Sequence, residues 1–249
     1  MKRKFRIERT WLSGIVLTLL LLFSACENES GPLTGQADET EILSMAGELH
    51  NQMISYYYVH RKEVADSPET FFDEMLNLST GFLVAEGYPE ASIEKARLAI
   101  EKQYSPGFLK SSSGGKYSLE PGTFITQLRA TGLYSEYFLQ AMDEILQLAE
   151  NKSNKQTIRR HVNSKFQGIP FDDPKDREGQ QLFINIFNGS YQFWESYGSS
   201  DLKDAMLKPS SWVIINDGIG GLLGMVFGPA GSIITATVFS VGTNEEINR

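Results

Sequence analysis

Between Gly218 and Val241 the chain runs for 24 residues without a charged side chain, and Gly220, Gly224 and Gly228 recur in it at strict four-residue spacing. Four residues turn a helix by about 400°, so the three glycines fall nearly on one face and admit a second backbone at close range. A chain with such a stretch must bury it in protein or give it to a bilayer, and three arrangements compete. One spanning helix has the length, but Pro229 lacks an amide hydrogen and clashes with the Met225 carbonyl, and the glycines lower helix propensity. A segment apolar enough to span would also be caught in the inner membrane during export. In a helical hairpin, Asp217 caps a first helix to about Val226, Gly228-Pro229-Ala230-Gly231 makes the turn, and a second helix runs to about Val241. In the third arrangement the segment packs in the folded protein and inserts or self-associates when released. The hairpin is the favoured reading, because each arm then has the length of a core helix and its small residues suit close packing.

The spacing resembles the glycine zippers of membrane-associated bacterial proteins and, more distantly, the glycine-rich helices of small membrane-active bacteriocins. That resemblance rests on composition over about 25 residues. It implies helix-packing roles for Gly220, Gly224 and Gly228.

The remainder reads as helices. From Thr40, Ile42, Ala46, Leu49, Met53, Tyr57 and Val64 recur mostly at three and four residues, one face of a long helix. Ser67-Pro68-Glu69 supplies an N-cap, a proline at the first helical position and an acid in the first turn, and Gly87 ends the helix so begun. Pro89-Glu90 opens the next, which Ser105-Pro106-Gly107 stops. After Pro121, two helical segments part near Thr131-Gly132, with Ser135 capping the second. Asn151 to Lys165 is a polar, basic stretch that reads as a solvated helix face. Asp173-Pro174 starts a helix in which Phe183, Phe187, Tyr191 and Trp194 form a core-facing aromatic stripe. Trp212 to Ile215 and Thr235 to Val241 are β-branched enough to suit short strands as well. The expected fold is all-α: a single helical domain over 40–210, followed by the glycine-rich apolar segment and polar tail over 211–249.

Chemistry-bearing patterns fail one after another. His50 and His60 are ten residues apart, nearly three helical turns, too far to share a metal, and His161 stands alone. Ser111-Ser112-Ser113-Gly114-Gly115-Lys116 lacks the first glycine of a phosphate loop, which is Lys110, and its Ser/Thr, which is Tyr117. There is no Gly-x-Ser-x-Gly elbow. Asp172, Asp173, Asp176 and Glu178 sit where a helix start attracts acids. The expectation is a protein with no catalytic residue, no metal and no cofactor of its own, although carboxylates assembled from distant segments leave no mark in sequence spacing.

The single cysteine excludes an intrachain disulfide and a cysteine-rich metal site. Its position carries the information. Lys2, Arg3, Lys4, Arg6 and Arg9 precede the apolar run Leu12 to Phe23, whose roughly 18 Å as a helix is short of a hydrocarbon core of about 30 Å, so it reads as an export signal. Leu22-Phe23-Ser24-Ala25-Cys26 then resembles the lipobox of bacterial lipoprotein precursors, with Phe23 where leucine is usual. The resemblance covers about a tenth of the chain. It implies cleavage after residue 25, a lipoprotein signal peptide over 1–25, and acylation of Cys26, palmitate included. Several acyl chains hold a protein firmly where one holds it reversibly.

Removing residues 1–25 takes five basic residues and one acid from totals of 23 and 31, leaving a net charge of −12. That balance opposes nucleic acid as a partner and keeps the body off anionic headgroups. Residues 26–39, polar and holding Gly31, Pro32 and Gly35, read as a flexible tether, and Glu27 and Glu29 loosely resemble a surface-export signal. The expected protein is exported and membrane-anchored, at the outer membrane and in the extended reading at the cell surface. Its expected contacts are the membrane through the N-terminal lipid, and a second copy or an envelope protein. Its expected role is a binding or structural/assembly module; the competing role is a membrane-active, bacteriocin-like effector working through the glycine-rich segment.

Overall fold

The chain divides into two units, Met1–Thr34 and Gly35–Arg249, and every element named here belongs to the second. The computed structural model describes residues 39–61, 67–103, 121–151, 153–197 and 211–247; the expected signal peptide, Cys26, nearly all of the expected tether and the serine-glycine stretch lie outside them. In order the helices are α1 (Glu39–His60), α2 (Pro68–Ala85), α3 (Glu90–Gln103), α4 (Pro121–Thr131), α5 (Glu136–Glu150), α6 (Lys155–Ser164), α7 (Pro174–Tyr197), α8 (Ser211–Gly224) and α9 (Gly228–Ile247). Short 3-10 turns fall at Phe166–Gly168 and Met225–Phe227. No strand occurs among the described residues, so the fold is all-α.

Local chemistry sets most helix boundaries. Ser67 is extended and its side chain accepts from Thr70 N, with Pro68 next in the first turn, as the Ser-Pro-Glu sequence predicts. Ser135 caps α5 by accepting from Phe138 N, and it also ties α5 to α7, because its amide and hydroxyl both donate to the buried Asp176 at 2.9 and 2.5 Å. Asp173 accepts from Lys175 N at 2.7 Å, the N-terminal role expected for that acid. Gly87 and Gly132 end their helices in the left-handed region, at φ of 83° and 65°.

At the centre lie α8 and α9, antiparallel and in contact along their length. Helices α1 and α7 pack on them and on each other; α2 and α3 lie against α9, and α4 and α5 against α8. From Val213 through Gly224 every residue of α8 is buried, as is every residue of α9 from Ala230 through Asn244. The aromatic stripe of α7 is buried as its spacing requires, and Phe183 joins Phe166, Phe138 and Phe171 in a run of tilted and edge-on rings.

The hairpin differs in detail from its sequence reading. Helix α8 begins at Ser211, so Asp217 stands inside it and caps nothing. The turn is tighter than four residues: the 3-10 turn ends at Gly228 with φ 80°, and α9 starts there with Pro229 in its first turn, where a missing amide costs no hydrogen bond. The two strand-like stretches are helical, since residues enclosed on all sides are held by packing more than by propensity.

Two of the three spaced glycines pack the arms together. A Cβ on Gly220 would stand 2.9 Å from Ala236 Cα and from Thr235 O, and one on Gly224 would strike the Gly231 carbonyl and come within 2.7 Å of Ser232 Cα. Gly228 is the correction: nothing lies within 4 Å of its added Cβ, and it serves the turn through its positive φ. The arms are also joined by Asn216 Nδ2 donating to Thr243 Oγ1 at 2.9 Å. Ser211–Asn244 is apolar and long enough, by composition alone, to cross a membrane, and 72% of its most apolar window is buried inside the protein.

Candidate functional site

The one acid of α8, Asp217, needs a partner, and the crossing of α1 over α7 supplies it. Gly47 and Gly189 meet there: a Cβ on Gly189 would stand 2.9 Å from Gly47 Cα, and a Cβ on Gly47 would strike the Asn185 carbonyl. With no side chain between them the helix backbones touch, which brings the next inward residues, His50 of α1 and Ser190 and Trp194 of α7, onto Asp217 of α8.

His50, Ser190 and Asp217 are all fully enclosed. Ser190 Oγ donates to Asp217 Oδ2, and His50 Nε2 faces the same oxygen at 3.9 Å. The Nδ1 of His50 lies 3.2 Å from Asn51 Oδ1, which can only accept, so Nδ1 carries the proton and Nε2 presents its lone pair to the carboxyl. Ser240 of α9 and Trp194 also face Asp217.

Burial governs how both groups hold protons. Desolvation pushes the Asp217 carboxyl up to about 7, against the pull of Ser190, Ser240 and Trp194. Desolvation also pushes the His50 imidazole down to about 4, opposed by Asn51 and the Ala236 backbone. Over most of the interval between those values the pair holds one proton, on the carboxyl. Ser190 donates to the carboxylate and not to the imidazole, and no solvent reaches it, so this cluster joins α1, α7, α8 and α9 and does not activate a nucleophile.

The outer side of the same crossing is a groove of about 590 Å³. Its walls are amide-rich: Asn51 and Gln52 from α1 face Asn185, Asn188 and Gln192 from α7, with Ser44, Ser55 and Phe193 also in the lining and Glu48 the single ionisable side chain among the described residues. Asn185 Nδ2 ties the wall together by donating to the Leu43 carbonyl at 2.9 Å, and Asn188 pairs reciprocally with Asn163 of α6 at 3.1 Å. Asn51 belongs to both sides of the crossing, since its carbonyl accepts from His50.

The other histidines have ordinary surroundings. His60 stacks on Tyr56 at the exposed end of α1, and His161 of α6 lies 3.9 Å from Glu144 Oε2, with partial burial and then Lys165 lowering its proton affinity. Among the described residues no three His, Cys, Asp or Glu are grouped to hold a metal. Of the residues singled out in the sequence, Gly220 and Gly224 meet α9, Gly228 makes the turn, and Cys26 lies outside the described residues. Sequence spacing missed the His50–Asp217 pair. A signal was present: one acid beside Asn216 in an otherwise apolar helix is tolerated only with a buried polar partner. No protein-family model, no curated protein and no solved structure matches this chain.

Proposed function

We propose that this chain is an exported, lipid-anchored protein of the cell envelope that acts as a binding module, with Cys26 carrying the lipid and the helical body presenting the α1/α7 face. One observation carries the reading: the glycine-rich hairpin, the one described stretch apolar enough to cross a membrane, is consumed as the body's own core. Its burial supports leaving attachment to Cys26, whose surroundings have the order of a lipoprotein precursor. The polar groove on the outer face supports binding over self-assembly through apolar surface. A membrane-active role would require the hairpin to leave its place among α1, α2, α7 and the shorter helices, breaking the Asp217 contacts to α1 and α7 as it went.

Cys26→Ala tests the attachment. In cells fed labelled palmitate, the unaltered protein should take up label and the variant should take up none and accumulate as uncleaved precursor. A variant still lipid-labelled at unchanged mass would refute the anchor. Release of a trapped dye from lipid vesicles by the full chain would displace the module reading in favour of the membrane-active one.

A further inference from the structure

We propose that the α1/α7 groove is a binding site for a neutral oligosaccharide. The inference rests on the binding-module reading and names its ligand class. At about 590 Å³ the groove has the size of a small-molecule site, and its polar lining is five carboxamides, the Ser44 and Ser55 side chains and the Glu48 carboxylate. Carboxamides are the commonest group, two from α1 and three from α7, and each carries a donor and an acceptor. A hydroxyl also donates and accepts, so a ligand with several hydroxyls matches this lining group for group.

The lining also argues against other classes. Among the described residues no lysine or arginine lines the groove and Glu48 does, so a phosphate, sulfate or carboxylate ligand would meet repulsion with no counter-charge from them. Peptides are taken by adding a strand to a sheet edge, by an apolar groove for a helix, by an aromatic groove for polyproline, or by an arginine cluster for a phosphorylated residue. This groove is polar, has Phe193 as its one aromatic residue among those described, and lies between two helices.

Part of the lining is already engaged in fixing the walls, which leaves a definite set for a ligand. Asn185 and Asn188 hold α1 and α6 to α7. Asn51 uses its carbonyl on His50, so its Nδ2 is the donor left to a sugar hydroxyl, and Gln52 uses its Nε2 on Glu48 at 3.2 Å, leaving its carbonyl to accept. Gln192 offers a whole carboxamide from the opposite wall. Phe193 is buried and adds only a small apolar edge to the lining. The fixed backbone crossing at Gly47 and Gly189 holds the two walls at a set separation, so little ordering is needed on binding.

The test is a ligand-observed NMR titration of the full chain with maltohexaose, cellohexaose and chitohexaose, repeated on a Gln52→Ala/Gln192→Ala double variant. At least one of the three should bind saturably at micromolar to millimolar concentration. The variant, at partly exposed positions and with an unaltered melting temperature, should bind it about tenfold more weakly for the lost hydrogen bonds. Absence of saturable binding by all three, or equal binding by the variant, would overturn the proposal. Either result leaves Cys26 labelling untouched, so this inference and the anchored-module reading can fail separately. Should the double variant melt early, Gln192→Ala alone, on the exposed wall, carries the same comparison.

Discussion

Gly224→Leu should lower the melting temperature of this protein by roughly 4–8 °C, taking a net cost of about 2 kcal/mol at 2–4 °C per kcal/mol for a chain of this size. The loss follows from what the new side chain would meet. Its first carbon would strike the Gly231 carbonyl and come within 2.7 Å of Ser232 Cα, and both are backbone of α9 that cannot turn aside as a side chain would. Leucine's better helix propensity returns only about 0.8–1 kcal/mol, so packing decides the sign. The neighbouring glycine gives the contrast. Gly228→Leu meets no atom within 4 Å but must hold φ near 80°, and its cost of about 1–2 kcal/mol is backbone strain. An unchanged or raised midpoint for Gly224→Leu would mean that the arms are not in contact there.

The buried pair predicts opposite pH dependences for two single variants of a protein that itself responds weakly. Asp217, raised to about 7 from an ordinary value of 3.8, adds stability that is fully present below 3.8 and is lost as pH rises through 7. His50, lowered to about 4 from 6.5, adds stability that is present above 6.5 and is lost as pH falls through 4. Each swing is of order 3–4 kcal/mol, and between pH 4 and 6.5 the two slopes have opposite sign and nearly cancel. Asp217→Asn leaves the imidazole alone, so its stability should fall on acidification from pH 6.5 to 4. His50→Gln leaves the carboxyl alone, so its stability should fall as pH rises from 4 to 7. Urea unfolding across that range checks both. Parallel, flat profiles for the protein and its two variants would contradict the buried, single-proton arrangement.

How much of this was legible in the sequence depended on how far each cause acts along the chain. Ser67, Ser135 and Asp173 announced helix starts because a cap bonds amides two or three residues ahead, and Gly87 and Gly132 announced ends because a left-handed residue is a local need. The stripe from Phe183 to Trp194 was legible because burial repeats with the helix turn. Asp217 misled for the same reason that the others succeeded: an acid before an apolar run looks like a cap, and only the packing of α8 from Ser211 onward shows that it lies inside. Gly228 carried the spacing of its two neighbours but answers to the turn. His50 could not be recognised by spacing along its own helix, because its partner stands on α8. Nor could Gly47 and Gly189 be matched, since each is an isolated glycine until α1 and α7 cross. The groove arises from that crossing, so its amides were legible as residues and not as a site.

Whether the hairpin is the body's core is measured most directly by native-state hydrogen exchange in vesicle-free buffer. Amides of Ile219–Leu223 in α8 and Ile233–Val241 in α9 should be the last to exchange, opening only with global unfolding and more slowly than those of α3 at the periphery. A hairpin that exchanged as fast as α3, or became protected only when lipid was added, would contradict its place at the centre of the fold.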